Sequence, residues 1–253
     1  MTTAAFPTPL HRTVLEVVLT ELRADPDVRG VLLSGSLARG TGRADSDLDV
    51  LVVTAREPVH PPPWRSRRRP LPVDLVPRTA DRWRSCFAPD RVGDESWGYA
   101  FLDGVALHDP DGVVARLMAD AADIHAGYRT PAPVKAHYAE LWAHVVPKMR
   151  AVRRRGDPVE TGWAAAVMTN ELIRTLWAAN DLPNPSLDLG TCQRYLGDLA
   201  SPAGAADLLR AVLRAAPRDA LRLQLELLED VLPLLAAPAA PRPPPGAKGG
   251  AYR

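Results

Sequence analysis

Cysteine is nearly missing from the chain. Two residues, Cys86 and Cys192, in 253 positions rule out a disulfide framework and supply no zinc-ligand spacing. Both read as plain buried or half-buried thiols. Long apolar runs are missing as well. No stretch of eighteen apolar residues occurs, so no transmembrane helix is expected. The first ten residues lack a basic segment followed by an apolar core, so no signal peptide is expected and a cytoplasmic location is. Excess charge is also lacking. A formal net charge of +1 does not suit a protein that grips duplex DNA. Outside the arginines at 65–69 there is no extended basic and aromatic stretch, so nucleic acid is not an expected partner. The six histidines show no H-E-x-x-H or other metal spacing and read as structural.

What is present is a hydrophobic content of 46%, ordinary for a folded chain, and a length that suits one large domain or two small ones. Most informative is residues 31–53, VLLSGSLARGTGRADSDLDVLVV. Val31-Leu32-Leu33 is long enough for a buried strand, and Ser34-Gly35-Ser36 is a small-residue turn. Gly35 permits close backbone approach because it has no Cβ. Ser36 offers a hydroxyl and an amide. A helix beginning at residues 37–39 would aim free N–H groups at the same spot, with Arg39 and Arg43 adding positive charge. Asp47-Leu48-Asp49 runs directly into a second apolar strand, Val50-Leu51-Val52-Val53. Side chains at i and i+2 share a strand face, so Asp47 and Asp49 sit side by side. Two neighbouring carboxylates repel unless a proton or cation lies between them. Hard oxygen ligands beside phosphate point to Mg²⁺. Asp45 reads as a turn residue.

This pattern, Gly35-Ser36-Leu37-Ala38-Arg39-Gly40 with Asp45-Ser46-Asp47-Leu48-Asp49, resembles the signature of the polymerase-beta-like nucleotidyltransferase superfamily. It looks most like the small-molecule members, such as aminoglycoside nucleotidyltransferases. The resemblance implies Mg²⁺-dependent transfer of NMP, AMP from ATP first of all, to a hydroxyl of a small acceptor, with pyrophosphate released. An aminoglycoside-like acceptor would make the protein an antibiotic-resistance enzyme. The resemblance implies two metal ions held by Asp47, Asp49 and a third acidic residue from a neighbouring strand. Asp74, flanked by apolar Val73 and Leu75, fits that place. Gly35, Ser36 and Arg39 would then position the outer phosphates of the nucleoside triphosphate, together with Asp47 and Asp49. A general base is implied too: Asp74, or a glutamate from the helical half. Glu171 is preferred there and Glu140 is second. AMP transfer to a protein or RNA, and a non-catalytic nucleotide-binding module, are the competing readings. A monomer or a homodimer is compatible with all of them.

The remaining pattern predicts an α+β fold: an N-terminal nucleotidyltransferase-type mixed β-sheet with helices, residues 1–126, then a C-terminal α-helical bundle, 127–236, and a disordered Pro- and Gly-rich tail, 237–253. Apolar spacing predicts a helix at 10–22 and strands at 28–33, 47–53 and 71–76. Proline density predicts an exposed loop at 55–70. Its arginines read as a solvated charge run, with phosphates or an acidic partner as the alternative. Helices are expected at 79–87 and 113–124, a loop at 90–96, and a hairpin with strands 99–102 and 105–108 around Asp103-Gly104. In the second half, helices are expected at 134–155, kinked or divided by Pro147, and at 161–180, 187–199, 205–215 and 218–235. Trp142, Trp163 and Trp177 are assigned to core packing, with a stacking surface for a substrate ring as the alternative.

Overall fold

The structure is a computed structural model that describes residues 6–57, 64–65, 67–87, 96–185 and 188–236. The tail at 237–253 and most of the expected loop at 90–96 lie outside these residues. The chain divides into two compact units, Met1–His125 and Ala126–Arg253.

The first unit opens with α1, Pro9–Arg23, whose proline at the first turn has no N–H to leave unsatisfied. Val14, Leu15, Val18 and Leu22 form its buried stripe. Next come β1, Val28–Leu33; the single turn α2, Gly35–Ala38; β2, Leu48–Thr54; and β3, Val73–Thr79. After α3, Ala80–Ser85, and α4, Trp97–Asp103, the strand β4, Val105–His108, leads into α5, Val113–Gly127. The sheet order is β3-β2-β1-β4. β1 is antiparallel to both β2 and β4, while β2 and β3 run parallel, so the sheet is mixed. Apolar side chains cover both faces. On one face Val31, Leu33, Leu48, Val50 and Val52 pack with the α1 stripe. On the other, Leu32, Leu51 and Val53 meet Trp83, Phe87, Phe101, Val114 and Leu117. Burial on both faces explains why β1 and β2 read as continuous apolar runs rather than as alternating ones.

Asp103-Gly104 does not form the expected hairpin turn. Residues 97–103 are helical, and Gly104 has φ −71°, not the positive value that a tight primed turn needs. Trp97 and Phe101, one helical turn apart, both set their rings edge-on to Trp83, and Phe101 does the same to Phe87. That aromatic contact requires helical spacing, which a strand would not provide. β4 instead pairs with β1. The arginines after residue 64 are not a wholly solvated run: Arg67 and Arg69 both pair with Glu21 of α1, at 2.8 and 2.9 Å, and Arg69 also donates to the Trp64 carbonyl.

The second unit is helical: α6, Ala132–Arg155; α7, Pro158–Ala179; α8, Leu189–Tyr195, extended by a 3₁₀ turn, Leu196–Asp198; α9, Ala205–Arg214; and α10, Pro217–Leu235. Pro147 does not divide α6, which is assigned as one helix through it. Trp142 and Trp177 are fully buried, and the Trp142 indole N–H donates to Thr175 Oγ1 at 2.7 Å. Trp163 departs from the expected core role. It is 74% exposed, on the same outward stripe as Val159 and Val167, because the inward stripe of α7 runs through Ala165, Leu172, Ile173 and Leu176. Among the described residues no helix is long and apolar enough to cross a membrane.

Candidate active site

The turn after β1 is tied to β2 at Asp49. The Ser34 N–H donates to the Asp49 carbonyl at 2.8 Å, and the Ser34 hydroxyl reaches the same oxygen at 3.3 Å. Gly35 then adopts φ +68°, and a Cβ placed there would overlap the Asp49 carboxylate. Glycine is therefore required twice over, by backbone conformation and by space. Ser36 follows in α2, and its carbonyl accepts the Thr41 N–H at 2.9 Å, folding the connector back over the turn.

The connector ends in a tight turn. The Ser46 N–H donates to the Arg43 carbonyl at 3.1 Å, and the Arg43 N–H donates to Ser46 Oγ at 2.9 Å. Asp45 sits in this turn, exposed, as a turn residue should. Asp47 is exposed just ahead of β2, and Asp49 is half-buried within it. β3 then brings Asp74 into direct register with Asp49. Adjacent strands lie about 4.8 Å apart, and in-register residues of parallel strands project to the same face. Asp49 and Asp74 are thus lateral neighbours at one end of the sheet, and Asp47 precedes Asp49 by one strand period.

These are hard oxygen donors in the chemistry that Mg²⁺ prefers, and Asp49–Asp74 is a pair that a cation would relieve of mutual repulsion. Among the described residues, no three carboxylate, imidazole or thiol groups gather closely enough to hold one ion. The register sets the two backbone positions level with each other.

Arg39 is placed differently from a side chain standing open over the turn. Its guanidinium Nη1 lies 4.0 Å from Asp103 Oδ2, with the two side chains 8% and 1% exposed. Arg43 is exposed. Glu171 lies half-buried on α7 of the second unit, where its carbonyl accepts the Thr175 hydroxyl at 2.6 Å; Glu140 is exposed on α6.

Two further side chains, neither given a site role by the sequence, pack against this turn. His11 of α1 is 1% exposed, and its Nε2 is 2.9 Å from the Ser46 carbonyl oxygen. Ser46 Oγ in turn lies 3.3 Å from Ser36 Oγ. Ser46 stands between Asp45 and Asp47 in the sequence. Nothing local marks His11, whose partner is 35 positions away.

Residues 15–92 match the family model of the nucleotidyltransferase domain. The matched stretch contains β1, the Gly35-Ser36 turn, the Asp47–Asp49 segment and Asp74. No curated relative matches the sequence. A nucleotidyltransferase-like protein from Exiguobacterium sibiricum 255-15, of known crystal structure, is similar over 88% of this chain and 74% of its own, at 14% identity and a TM-score of 0.41.

Proposed function

We propose that the protein transfers a nucleoside monophosphate, AMP from ATP first of all, to a hydroxyl of a small-molecule acceptor. The observation that carries this is the in-register placement of Asp49 beside Asp74, with the Asp49 carboxylate filling the space that only a glycine at 35 leaves open. The nucleotidyltransferase family match over this stretch supports it. Asp47, Asp49 and Asp74 are the residues that would hold Mg²⁺. When bound, the metal would offset charge on the phosphate oxygens and make the acceptor hydroxyl more acidic.

Gly35 and Ser36 would receive the outer phosphates, with backbone approach from the glycine and a hydroxyl donor from the serine. The acceptor oxygen forms a bond to the α-phosphorus. The bond from that phosphorus to the bridging oxygen breaks, and its electron pair leaves with pyrophosphate. The acceptor proton goes to a carboxylate, Asp74 or Glu171. Positioning and charge stabilisation supply most of the rate in such transfers.

The test is pyrophosphate release with each nucleoside triphosphate and Mg²⁺ across a panel of hydroxylated acceptors, aminoglycosides among them. Asp49→Asn is expected to lower the rate on the order of a thousandfold, several kcal/mol of barrier. Glu171→Gln and Asp74→Asn separate the two candidate bases: the variant lacking the base loses the acidic limb of the rate–pH profile. Nucleotide binding without pyrophosphate release from any acceptor would replace this reading with that of a nucleotide-binding module.

A further inference from the structure

We propose that Ser46 is a positioning residue, orienting the Ser36 hydroxyl toward the outer phosphates of the nucleotide, and that His11 holds Ser46 in place for this. The inference rests on the nucleotidyltransferase reading above.

A hydroxyl has one hydrogen to give and two lone pairs to receive with. One lone pair of Ser46 Oγ is taken by the Arg43 N–H at 2.9 Å. Its hydrogen remains, and the Ser36 oxygen stands 3.3 Å away. Between two hydroxyls the bond runs in either direction. When Ser36 donates to Ser46, its hydrogen is spent. When Ser46 donates to Ser36, the Ser36 hydrogen is released for a ligand. A phosphate oxygen is a charged acceptor and makes a stronger bond than a neutral hydroxyl does, so an arriving triphosphate selects the second direction. The result is a chain from the Arg43 amide through Ser46 and Ser36 to phosphate, in which each bond polarises the next.

The other contacts of Ser46 keep this geometry fixed. Its N–H is held by the Arg43 carbonyl. Its carbonyl is held by His11 Nε2, and since a carbonyl only accepts, that nitrogen carries the proton. His11 Nδ1 is bonded to Thr8 Oγ1 at 2.7 Å, which fixes the ring from behind. A turn that needed only closing would be complete with the Arg43–Ser46 pair. The bonds to Ser36 and to a buried histidine of α1 connect the turn to the Gly35-Ser36 bend and to the body of the first unit. The same peptide leads into Asp47, so one restraint serves the phosphate donor and the first carboxylate together.

The experiment measures ATP and AMP affinity by calorimetry, with Mg²⁺, on the full chain carrying Ser36→Ala, Ser46→Ala, both, Ser46→Thr or His11→Gln, with the melting temperature of each. Each single alanine variant is expected to weaken ATP about five- to tenfold. The double variant should bind no more weakly than Ser36→Ala alone, because the two act as a unit. AMP, which lacks the outer phosphates, should be unaffected. Ser46→Thr restores the hydroxyl, and His11→Gln retains an N–H donor; both should bind ATP nearly as wild type does. Additive losses in the double variant, or equal losses for ATP and AMP, would overturn the inference and leave the function standing. A wild-type chain that binds no nucleoside triphosphate would overturn both.

Discussion

Cys192 shows what burial does to one ionisable group. Its thiol is pushed up from the ordinary 9.0 to about 11, first by burial and then by the negative charge of Asp188 at the start of α8. The folded state therefore holds the proton more tightly than the unfolded one. Stability from this source is complete below pH 9 and is lost as the pH rises toward 11. Urea midpoints measured across that window should fall less steeply for Cys192→Ala than for wild type, and alkylation of Cys192 at neutral pH should proceed only on unfolding. The thiol's burial was foreseeable from composition, whereas its acidic neighbour depends on how α8 begins. The same division runs through the site. Gly35, Ser36, Asp47 and Asp49 stand out because a turn and a strand start are local, and because the i, i+2 rule needs no tertiary information. Arg39 shows the converse: its sequence neighbours suggest phosphate chemistry, while its pairing with Asp103, from a helix far along the chain, is visible only in the fold.

The aromatic cluster over the sheet is the clearest case at the level of elements. An Asp-Gly pair between apolar runs is a strong local turn signal, yet α4 is a helix because Trp97 and Phe101 must reach the same ring of Trp83. Trp83 is itself fixed by its indole N–H donating to the Val52 carbonyl of β2 at 3.2 Å, and Arg78 lies over both Trp83 and Trp97 at 4.8 and 5.1 Å. Phe101 is fully buried, so Phe101→Ala is expected to cost about 3–5 kcal/mol in urea unfolding. Tyr99→Phe, which keeps the ring, should cost far less. In a hairpin at 99–108 burial would follow a period of two and Tyr99 and Phe101 would share one face, whereas the helix brings Trp97 and Phe101 together on Trp83. The long apolar helices were legible because their stripes repeat over several turns. Which face of α7 carries Trp163 was not, since both faces of that helix carry apolar residues and only the packing of α10 and α6 decides which is covered.

Over the whole molecule, each unit has its own polar anchor as well as its own apolar core. In the second unit Lys135 and Asp181 pair at 2.9 Å, largely buried, and Asp181 also accepts the Thr130 N–H at 3.0 Å. Removing one partner of such a pair strands a charge, so Lys135→Met is expected to destabilise by about 3–5 kcal/mol, and Lys135→Met with Asp181→Asn, which keeps an acceptor for the Thr130 N–H and suits the φ of +53° at that position, to recover most of that. Thermal unfolding of the two variants checks it. What the sequence by itself determined is everything with a short period or a short reach: the apolar stripes, the glycine–serine bend, the paired aspartates at the start of β2, and the shift from strand to helix along the chain. Only the tertiary structure decided that β3 lies parallel to β2 with Asp74 level with Asp49, that His11 clasps Ser46, and that residues 97–103 coil rather than extend. Each of these joins segments far apart in sequence. Which distant surfaces meet depends on how much apolar area each pairing buries and which polar groups it satisfies, and no short window of residues contains that comparison.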